Sequence, residues 1–263
     1  MIRTSLAFLA ATAAVLAPAA AFASSSQWEA TEGARVRLVS SGLPDATGTL
    51  LGVLEIELEP GWKTYWREPG GSGVPPSIDV SGNPHVVAAT LDFPAPERHF
   101  DGDLSWAGYS RSVAFPVTFS LAPGEVGPIE ASVFLGICET ICVPLQARLT
   151  LDPASAPDDM SDAANVRNGF DALPPPASET FGVKLREVHD GKAVFAATLP
   201  EGSDDADLFI AGDSYIFGVP ERSQDEGGTI FTVTVERPPE TSGIIHYTLV
   251  TSAGAVRGEL PAF

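Results

Sequence analysis

Strict alternation of apolar and acidic residues marks the stretch Leu54-Glu55-Ile56-Glu57-Leu58-Glu59. Alternation with a period of two predicts a β-strand that buries one face and leaves the other in water. Many turn residues between short β-branched runs favour an all-β architecture over a helical one. Similar patterns predict strands at residues 34–39, 49–59, 86–93, 113–121, 129–137 and 142–151.

A proline-rich segment interrupts this pattern at residues 153–180. It contains the run Pro174-Pro175-Pro176, and a short helix capped by Asp158 or Ser161 is expected before that run. The composition of the segment is that of a linker, so the chain is expected to divide into two β domains here.

Strands resume after the linker. They are predicted at residues 181–188, 193–199, 229–235 and 244–250, with Asp190-Gly191 as a two-residue hairpin turn. The sequence therefore predicts an immunoglobulin-like β-sandwich at residues 24–152 and a smaller second β-sandwich at residues 181–263.

Composition and charge exclude several classes of protein. The 263 residues carry 15 Lys and Arg against 34 Asp and Glu, a formal net charge of −19. Nucleic acids and anionic membranes bind clustered basic residues, so neither is an expected partner. Hydrophobic residues make up 44% of the chain and charged residues 19%, which excludes a disordered protein.

The first 23 residues are interpreted as a secretory signal peptide. Arg3 supplies the positive charge, an apolar run of small residues and leucines follows, and Ala21-Phe22-Ala23 fits the cleavage rule. No later stretch is long and apolar enough to cross a bilayer, so the mature chain is not expected to insert into a membrane. The alanine-rich composition of the signal peptide indicates a bacterial periplasm, where two cysteines can form a disulfide.

The chain's two cysteines, Cys138 and Cys142, are separated by three residues. Neighbouring β-branched residues and Pro144 argue against a helix, so a strand, a tight turn and a second strand are predicted, with Cα atoms about 5–6 Å apart. So small a loop gains only about 2 kcal/mol from its cross-link. A reversible redox pair is therefore favoured, while a hairpin staple and two buried free thiols remain open. Glu139 lies between the cysteines and no basic residue adjoins them, which predicts that neither thiol is strongly activated.

Several landmarks stand in a fixed order along residues 30–152. They are Pro60-Gly61-Trp62-Lys63-Thr64-Tyr65-Trp66-Arg67, Pro69-Gly70-Gly71-Ser72-Gly73-Val74-Pro75-Pro76, Phe93-Pro94-Ala95-Pro96-Glu97-Arg98, Gly108-Tyr109, Phe115-Pro116-Val117 and Cys138-Glu139-Thr140-Ile141-Cys142-Val143-Pro144. With these landmarks the segment resembles the N-terminal domain of the DsbD/ScsB family of thiol:disulfide interchange proteins, especially its ScsB-like branch. Trp62, Tyr65 and Trp66 are also compatible with a purely structural place in the core.

The resemblance implies an immunoglobulin-like fold in which Cys138 and Cys142 exchange electrons with other proteins. It implies a membrane-embedded thiol reductase as donor and periplasmic disulfide proteins as acceptors, without a cofactor. The family's cap loop, which has an aromatic tip, would correspond to about residues 98–109. Phe100 is the first candidate for the cap residue and Trp106 its rival, with Tyr109 closing the segment. In DsbD a membrane domain and a thioredoxin-like domain share the chain, so a separate membrane reductase is expected here.

Two other functions use the same residues. The protein can be a non-catalytic binding module whose cysteines form a structural hairpin disulfide. Alternatively it handles copper, because the thiols of Cys138 and Cys142 and the imidazole of His99 are ligands suited to Cu(I). Val143 stands where the copper-delivery proteins with a thioredoxin fold have proline, so a metal site is not the favoured prediction.

Overall fold

The structure, a computed structural model, describes residues 24–71, 73–102, 104–203, 205–212, 215–237 and 243–263. The expected signal peptide at residues 1–23 lies outside these ranges and stays a prediction. No helix in the described part of the chain is long and apolar enough to cross a membrane.

Antiparallel strands build the first β domain, and all six strands predicted for it are present. Residues 113–121 and 142–151 form strands with the predicted bounds. The strands are β1 Glu29–Thr31, β2 Ala34–Ser40, β3 Thr49–Leu58, β4 Thr64–Tyr65, β5 Ser77–Asp79, β6 Val86–Leu91, β7 Glu97–Asp101, β8 Leu104–Tyr109, β9 Val113–Leu121, β10 Ile129–Cys138 and β11 Cys142–Leu151.

Two sheets of this domain face each other across a common core. One has the order β1-β2-β3-β9-β6 and the other the order β11-β10-β5. The predicted alternation in β3 is confirmed, because Leu54 and Ile56 are fully buried while Glu55 and Glu57 pair with arginines of β2 on the outer face. Burial of one apolar face per sheet is what holds such a sandwich together.

A third, small sheet has the order β4-β8-β7 and was not predicted as strands. The segment expected as a cap loop is instead a hairpin of β7 and β8, in which His99 lies opposite Trp106 and Phe100 opposite Ser105. Gly102 adopts a φ of 62° at the turn, which a residue without a Cβ does readily. We call β7 and β8 the cap hairpin.

A helix, α1 Met160–Asp171, follows the first domain. Its N-cap is Asp159, whose carboxylate accepts from the backbone N–H groups of Ser161 and Asp162, rather than the predicted Asp158 or Ser161. Val166 packs the helix onto the outer face of the first sheet, against Val39 and Val53. The expected helix is therefore present and docked.

The second β domain is also antiparallel. The turn at Asp190-Gly191 is confirmed, with both residues at positive φ, as a two-residue hairpin of the primed type requires. The sheets have the orders β12-β13-β17-β15, with β16 also pairing β17, and β14-β18-β19. The strands are β12 Gly182–His189, β13 Lys192–Thr198, β14 Asp207–Gly212, β15 Ile216–Phe217, β16 Glu221–Asp225, β17 Gly228–Arg237, β18 Ile244–Thr251 and β19 Gly254–Pro261. The all-β prediction for both halves is confirmed.

Replacing Gly108 with alanine is expected to destabilise the first domain. Gly108 lies in β8 opposite Tyr65 of β4, and an added Cβ would lie 2.2 Å from the carbonyl oxygen of Thr64. Overpacking of this kind lowers the free energy of unfolding by about 1–3 kcal/mol. Urea unfolding followed by tryptophan fluorescence measures this domain, because all 4 tryptophans belong to it.

Gly82→Ala is the matched control for this experiment. An added Cβ at Gly82 meets no atom within 4 Å, so its unfolding curve should stay close to that of the wild type. Equal stabilities of the Gly108 and Gly82 variants would contradict the close approach of β4 and β8.

Candidate functional site

The two cysteines end one strand and begin the next, and they form a disulfide across the turn between β10 and β11. Cys138 and Cys142 are directly opposite in the register, and their Cα atoms are 4.0 Å apart, closer than the 5–6 Å predicted. The reason lies in the ladder. The backbone N–H and C=O of Cys138 bond to Lys63 of the neighbouring chain segment, so Cys138 and Cys142 occupy a non-hydrogen-bonded position, where strands approach most closely.

The two sulfur-bearing residues differ in exposure. Cys138 is 1% exposed and packs with Tyr65 and Trp106, whereas Cys142 is exposed at the start of β11. The turn residues between them, Glu139 to Ile141, are exposed as well, and Ile141 presents 75% of its surface. A thiol approaching from solvent therefore reaches Cys142 and not Cys138.

Tyr65 is the polar side chain that contacts the disulfide. Its hydroxyl donates to Cys138 Sγ at 3.0 Å and lies 3.4 Å from Cys142 Sγ. Burial of Tyr65, with a smaller contribution from the charge of Asp101, raises the pKa of the phenol. The hydroxyl consequently keeps its proton and remains a donor over the whole range in which a thiol titrates.

Neighbouring residues fix the position of the Tyr65 ring. The Thr64 hydroxyl donates to the carbonyl oxygen of Gly136 in β10 at 3.1 Å, which fastens β4 to the cysteine hairpin. The ring then lies over Gly136, where a Cβ would approach it to 3.1 Å. The hydroxyl is held at the sulfur atoms by packing on a rigid strand.

Trp106 covers Tyr65 and Cys138, and the three residues form one buried cluster. The indole meets Tyr65 edge to face, with ring centroids 6.0 Å apart, and stacks on His99 at 4.0 Å. Aromatic pairs of these geometries are favourable beyond the area they bury. The cap hairpin therefore lies against the disulfide through one aromatic side chain.

Lys63 and Asp101 fasten the tip of the cap hairpin to β4. Lys63 Nζ lies 4.4 Å from the centre of the Trp106 ring and 2.8 Å from Asp101 Oδ2. The hydrogen bond and the charge of Lys63 lower the pKa of Asp101, so this carboxylate is ionised at neutral pH. The carboxylate of Asp101 offsets the positive charge that Lys63 brings near the disulfide. That neither thiol is strongly activated stays a prediction.

The three predicted cap residues lie in different places. Trp106 is at the disulfide, as described above. Phe100 is 69% exposed, and the pleat of β7 directs it to the opposite face from His99. Tyr109 is buried in the main core, where its hydroxyl donates to the carbonyl oxygen of Pro94 at 2.8 Å. The geometry therefore supports Trp106 as the cap residue and gives Phe100 and Tyr109 no contact with the sulfur atoms.

Tyr65 is the residue that sequence reasoning underrated, because it was weighed with Trp62 and Trp66 as core. Trp66 is indeed 2% exposed and belongs to the main core, and Trp62 packs against it. The available signal was the phenol itself, since a buried hydroxyl needs a hydrogen-bond partner that an indole-filled core does not provide.

The copper alternative receives no support from the arrangement of ligands. His99 stacks on Trp106, and that indole in turn packs on Cys138 and Tyr65. The described residues contain no group of three or more His, Cys, Asp or Glu side chains placed to hold a metal ion.

The fold and the hairpin disulfide define an immunoglobulin-like β-sandwich protein that carries its cysteine pair at one end of the sandwich. Residues 15–154 match the sequence model of the family described as "Thiol:disulfide interchange protein DsbD, N-terminal". The chain belongs to this family, and the resemblance predicted from its motifs is confirmed. None of the curated proteins matches the chain.

A solved structure supports the fold of both β domains. The N-terminal periplasmic domain of ScsB from Proteus mirabilis superposes with a TM-score of 0.74 at 19% sequence identity, covering 91% of this chain and 98% of that one. A conserved domain protein from Bacillus anthracis aligns with a TM-score of 0.23 at 10% identity over 89% of this chain and 88% of its own, too low a score to support an argument.

Replacing Tyr65 with phenylalanine is expected to raise the thiol pKa of the reduced protein. A thiolate at Cys138 would accept the Tyr65 hydroxyl hydrogen bond, and loss of a bond to a charged group of about 1.4 kcal/mol corresponds to about one pKa unit. Thiolate absorbance against pH measures the shift in the reduced protein.

Tyr109→Phe is the control, because it removes a buried hydroxyl that bonds to Pro94 and not to sulfur. Its thiol titration should match that of the wild type. Identical titrations of the Tyr65 and Tyr109 variants would show that the phenol does not stabilise the thiolate.

Proposed function

We propose that this protein is a periplasmic thiol–disulfide interchange protein. It relays reducing equivalents through Cys138 and Cys142 from a separate membrane-embedded thiol reductase to periplasmic disulfide proteins. The observation that carries the proposal is the pairing of an exposed Cys142 with a buried Cys138 whose sulfur accepts a hydrogen bond from Tyr65. Membership of the interchange family supports the same reaction class.

The unequal exposure of the two cysteines supports one order of attack in the exchange. In the reduced protein, the Cys142 thiolate attacks one sulfur of a substrate disulfide, forms a mixed disulfide and expels the other substrate sulfur as a thiolate. The Cys138 thiolate then attacks Cys142 Sγ and releases the second substrate thiolate. The substrate gains two electrons and two protons, and this protein is left with the Cys138–Cys142 disulfide.

Regeneration runs through the same atoms in reverse. A donor thiolate attacks the exposed Cys142 Sγ, and the bond to Cys138 Sγ breaks. The leaving sulfur is the one that accepts the Tyr65 hydroxyl hydrogen bond at 3.0 Å. A donor aimed at the leaving thiolate lowers the barrier to its departure, because charge develops there in the transition state.

The proposal includes the division of the chain expected from its sequence. Residues 1–23 direct export, 24–152 form the redox domain, 153–180 connect the domains and 181–263 form the second β domain. Periplasmic export would place the cysteine pair in an oxidising compartment, where continued reduction requires a dedicated donor.

The reduction potential of the Cys138–Cys142 pair distinguishes a relay from a structural staple. Working exchangers lie between about −180 and −270 mV, whereas structural disulfides lie below about −300 mV. We expect a value in the first range, measured by counting free thiols after equilibration in glutathione or dithiothreitol buffers. A value well below −300 mV would make the bond a staple and refute the relay.

The order of attack predicts unequal single-cysteine variants. Cys138→Ala keeps the exposed Cys142, and its mixed disulfide with glutathione should form about tenfold or more faster than that of Cys142→Ala, because reactivity follows access. The reaction of each reduced variant with glutathione disulfide is followed by intact mass. A faster reaction at Cys138 would reverse the assigned roles.

A further inference from the structure

The cap hairpin makes contacts on both of its faces at the rungs of Arg98 and His99, whereas Phe100 at its tip is exposed. One face carries His99 and Trp106, which lie against the disulfide cluster. The other carries Arg98 and its partner across the ladder, Ala107, and this face lies against the second β domain. The hairpin is thus held between the redox site and residues that the proposed exchange chemistry does not use.

Arg98 makes the polar part of the second contact. Its Nε donates to both carboxylate oxygens of Asp207, at 3.0 and 2.9 Å, and its Nη2 donates to the carbonyl oxygen of Leu208 at 2.8 Å. The guanidinium also lies 4.5 Å from the centre of the Phe209 ring. Three consecutive residues at the start of β14 therefore hold one arginine, whose side chain is only 13% exposed.

The apolar part of the contact lies at the same pair of residues, Arg98 and Ala107. Phe209 is 2% exposed and is counted within the core of the first domain, where its ring lies 5.9 Å from that of Trp66. The backbone N–H of Trp66 bonds to the carbonyl oxygen of Ala107, which is opposite Arg98 in the ladder. Phe209 therefore contacts both Arg98, which is on this rung of the cap hairpin, and Trp66, which is hydrogen-bonded to the rung.

We propose that the second β domain holds the cap hairpin closed over Tyr65 and Cys138, with Arg98 as the positioning residue. The Arg98 rung is adjacent to the rung of His99 and Trp106, about 3.3 Å along the strand. A shift of the first rung therefore moves the indole that covers Tyr65 and Cys138. This inference rests on the proposed function, because it assigns residues 181–263 a part in controlling access to the exchange site.

A second ion pair between the domains provides a matched control. Arg257 of β19 lies 3.2 Å from Asp92, just beyond β6. This pair joins the same two domains but contains no residue of the cap hairpin. Loosening it weakens the contact between the domains without releasing the Arg98 rung.

The test compares the rate at which iodoacetamide alkylates Cys138 in four full-length variants, each made in the Cys142→Ala background. Asp207→Asn and Arg98→Met should accelerate alkylation by about fivefold or more, the factor that loss of a charge-assisted hydrogen bond produces, with the larger effect for Arg98→Met. Asp92→Asn and Arg257→Met should stay within about twofold of the Cys142→Ala parent, since their pair does not hold the cap. Tryptophan fluorescence during urea unfolding verifies that each variant is folded.

The reduction potential separates this inference from the proposed function. Opening of the cap changes access to Cys138, so alkylation should accelerate while the potential of each variant with both cysteines remains that of the wild type. Equal alkylation rates for the Asp207 and Asp92 variants, or a rate change matched by a shift in potential, would overturn the proposal that the second β domain holds the cap. A wild-type potential in the structural range would refute the relay alone. The ratio of the rates of the Asp207 and Asp92 variants reports on the cap independently of that potential.

Discussion

Two backbone hydrogen bonds between Cys138 and Lys63, of 2.9 and 2.8 Å, are the constraint on which the arrangement of the site depends. They direct the peptide groups of Cys138 away from Cys142, and the two cysteines are left at the close, non-hydrogen-bonded position where their side chains meet. The same bonds place the next residues, β4, beside the hairpin, and Tyr65 reaches the sulfur atoms. Because β8 pairs with β4 and β7 pairs with β8, the Cys138–Lys63 hydrogen bonds also determine where the cap hairpin lies relative to the disulfide.

A cysteine pair on a β-hairpin must be controlled differently from one at the start of a helix. Helix N-termini lower thiol pKa values through their dipole and free N–H groups, and a hairpin offers neither. The protein's net charge of −19 disfavours a thiolate, and the ammonium group of Lys63 is paired with Asp101. What remains is a neutral hydroxyl, held at 3.0 Å from Cys138 Sγ by burial that keeps it protonated. The disulfide thus has one buried, neutral hydrogen-bond donor, the Tyr65 hydroxyl, where the start of a helix would supply a positive field.

The long strands were predictable because each buries one face, as the alternation in β3 shows. The cap hairpin was not, because β7 is exposed or half-buried along its length and β8 is buried at every residue from Trp106 to Tyr109. Neither strand therefore shows the alternation that marks one buried face. The cysteine turn was predictable from local residues alone. The place of Tyr65 was not, since its partner lies 73 residues away in sequence and only the tertiary fold brings them together.

The second β domain contributes residues to the core of the first domain, which couples its position to that of the cap hairpin. If the two sandwiches were joined only by residues 153–180, motion of the cap would be a local loop motion with its own small barrier. Phe209 and Ala211 instead belong to the first domain's core, and Arg98 binds the same strand, β14. Displacing the cap then requires either breaking these contacts or moving β14 with it. Close-packed interfaces of this kind have discrete arrangements rather than continuous ones, so the cap hairpin and β14 are expected to move as one unit.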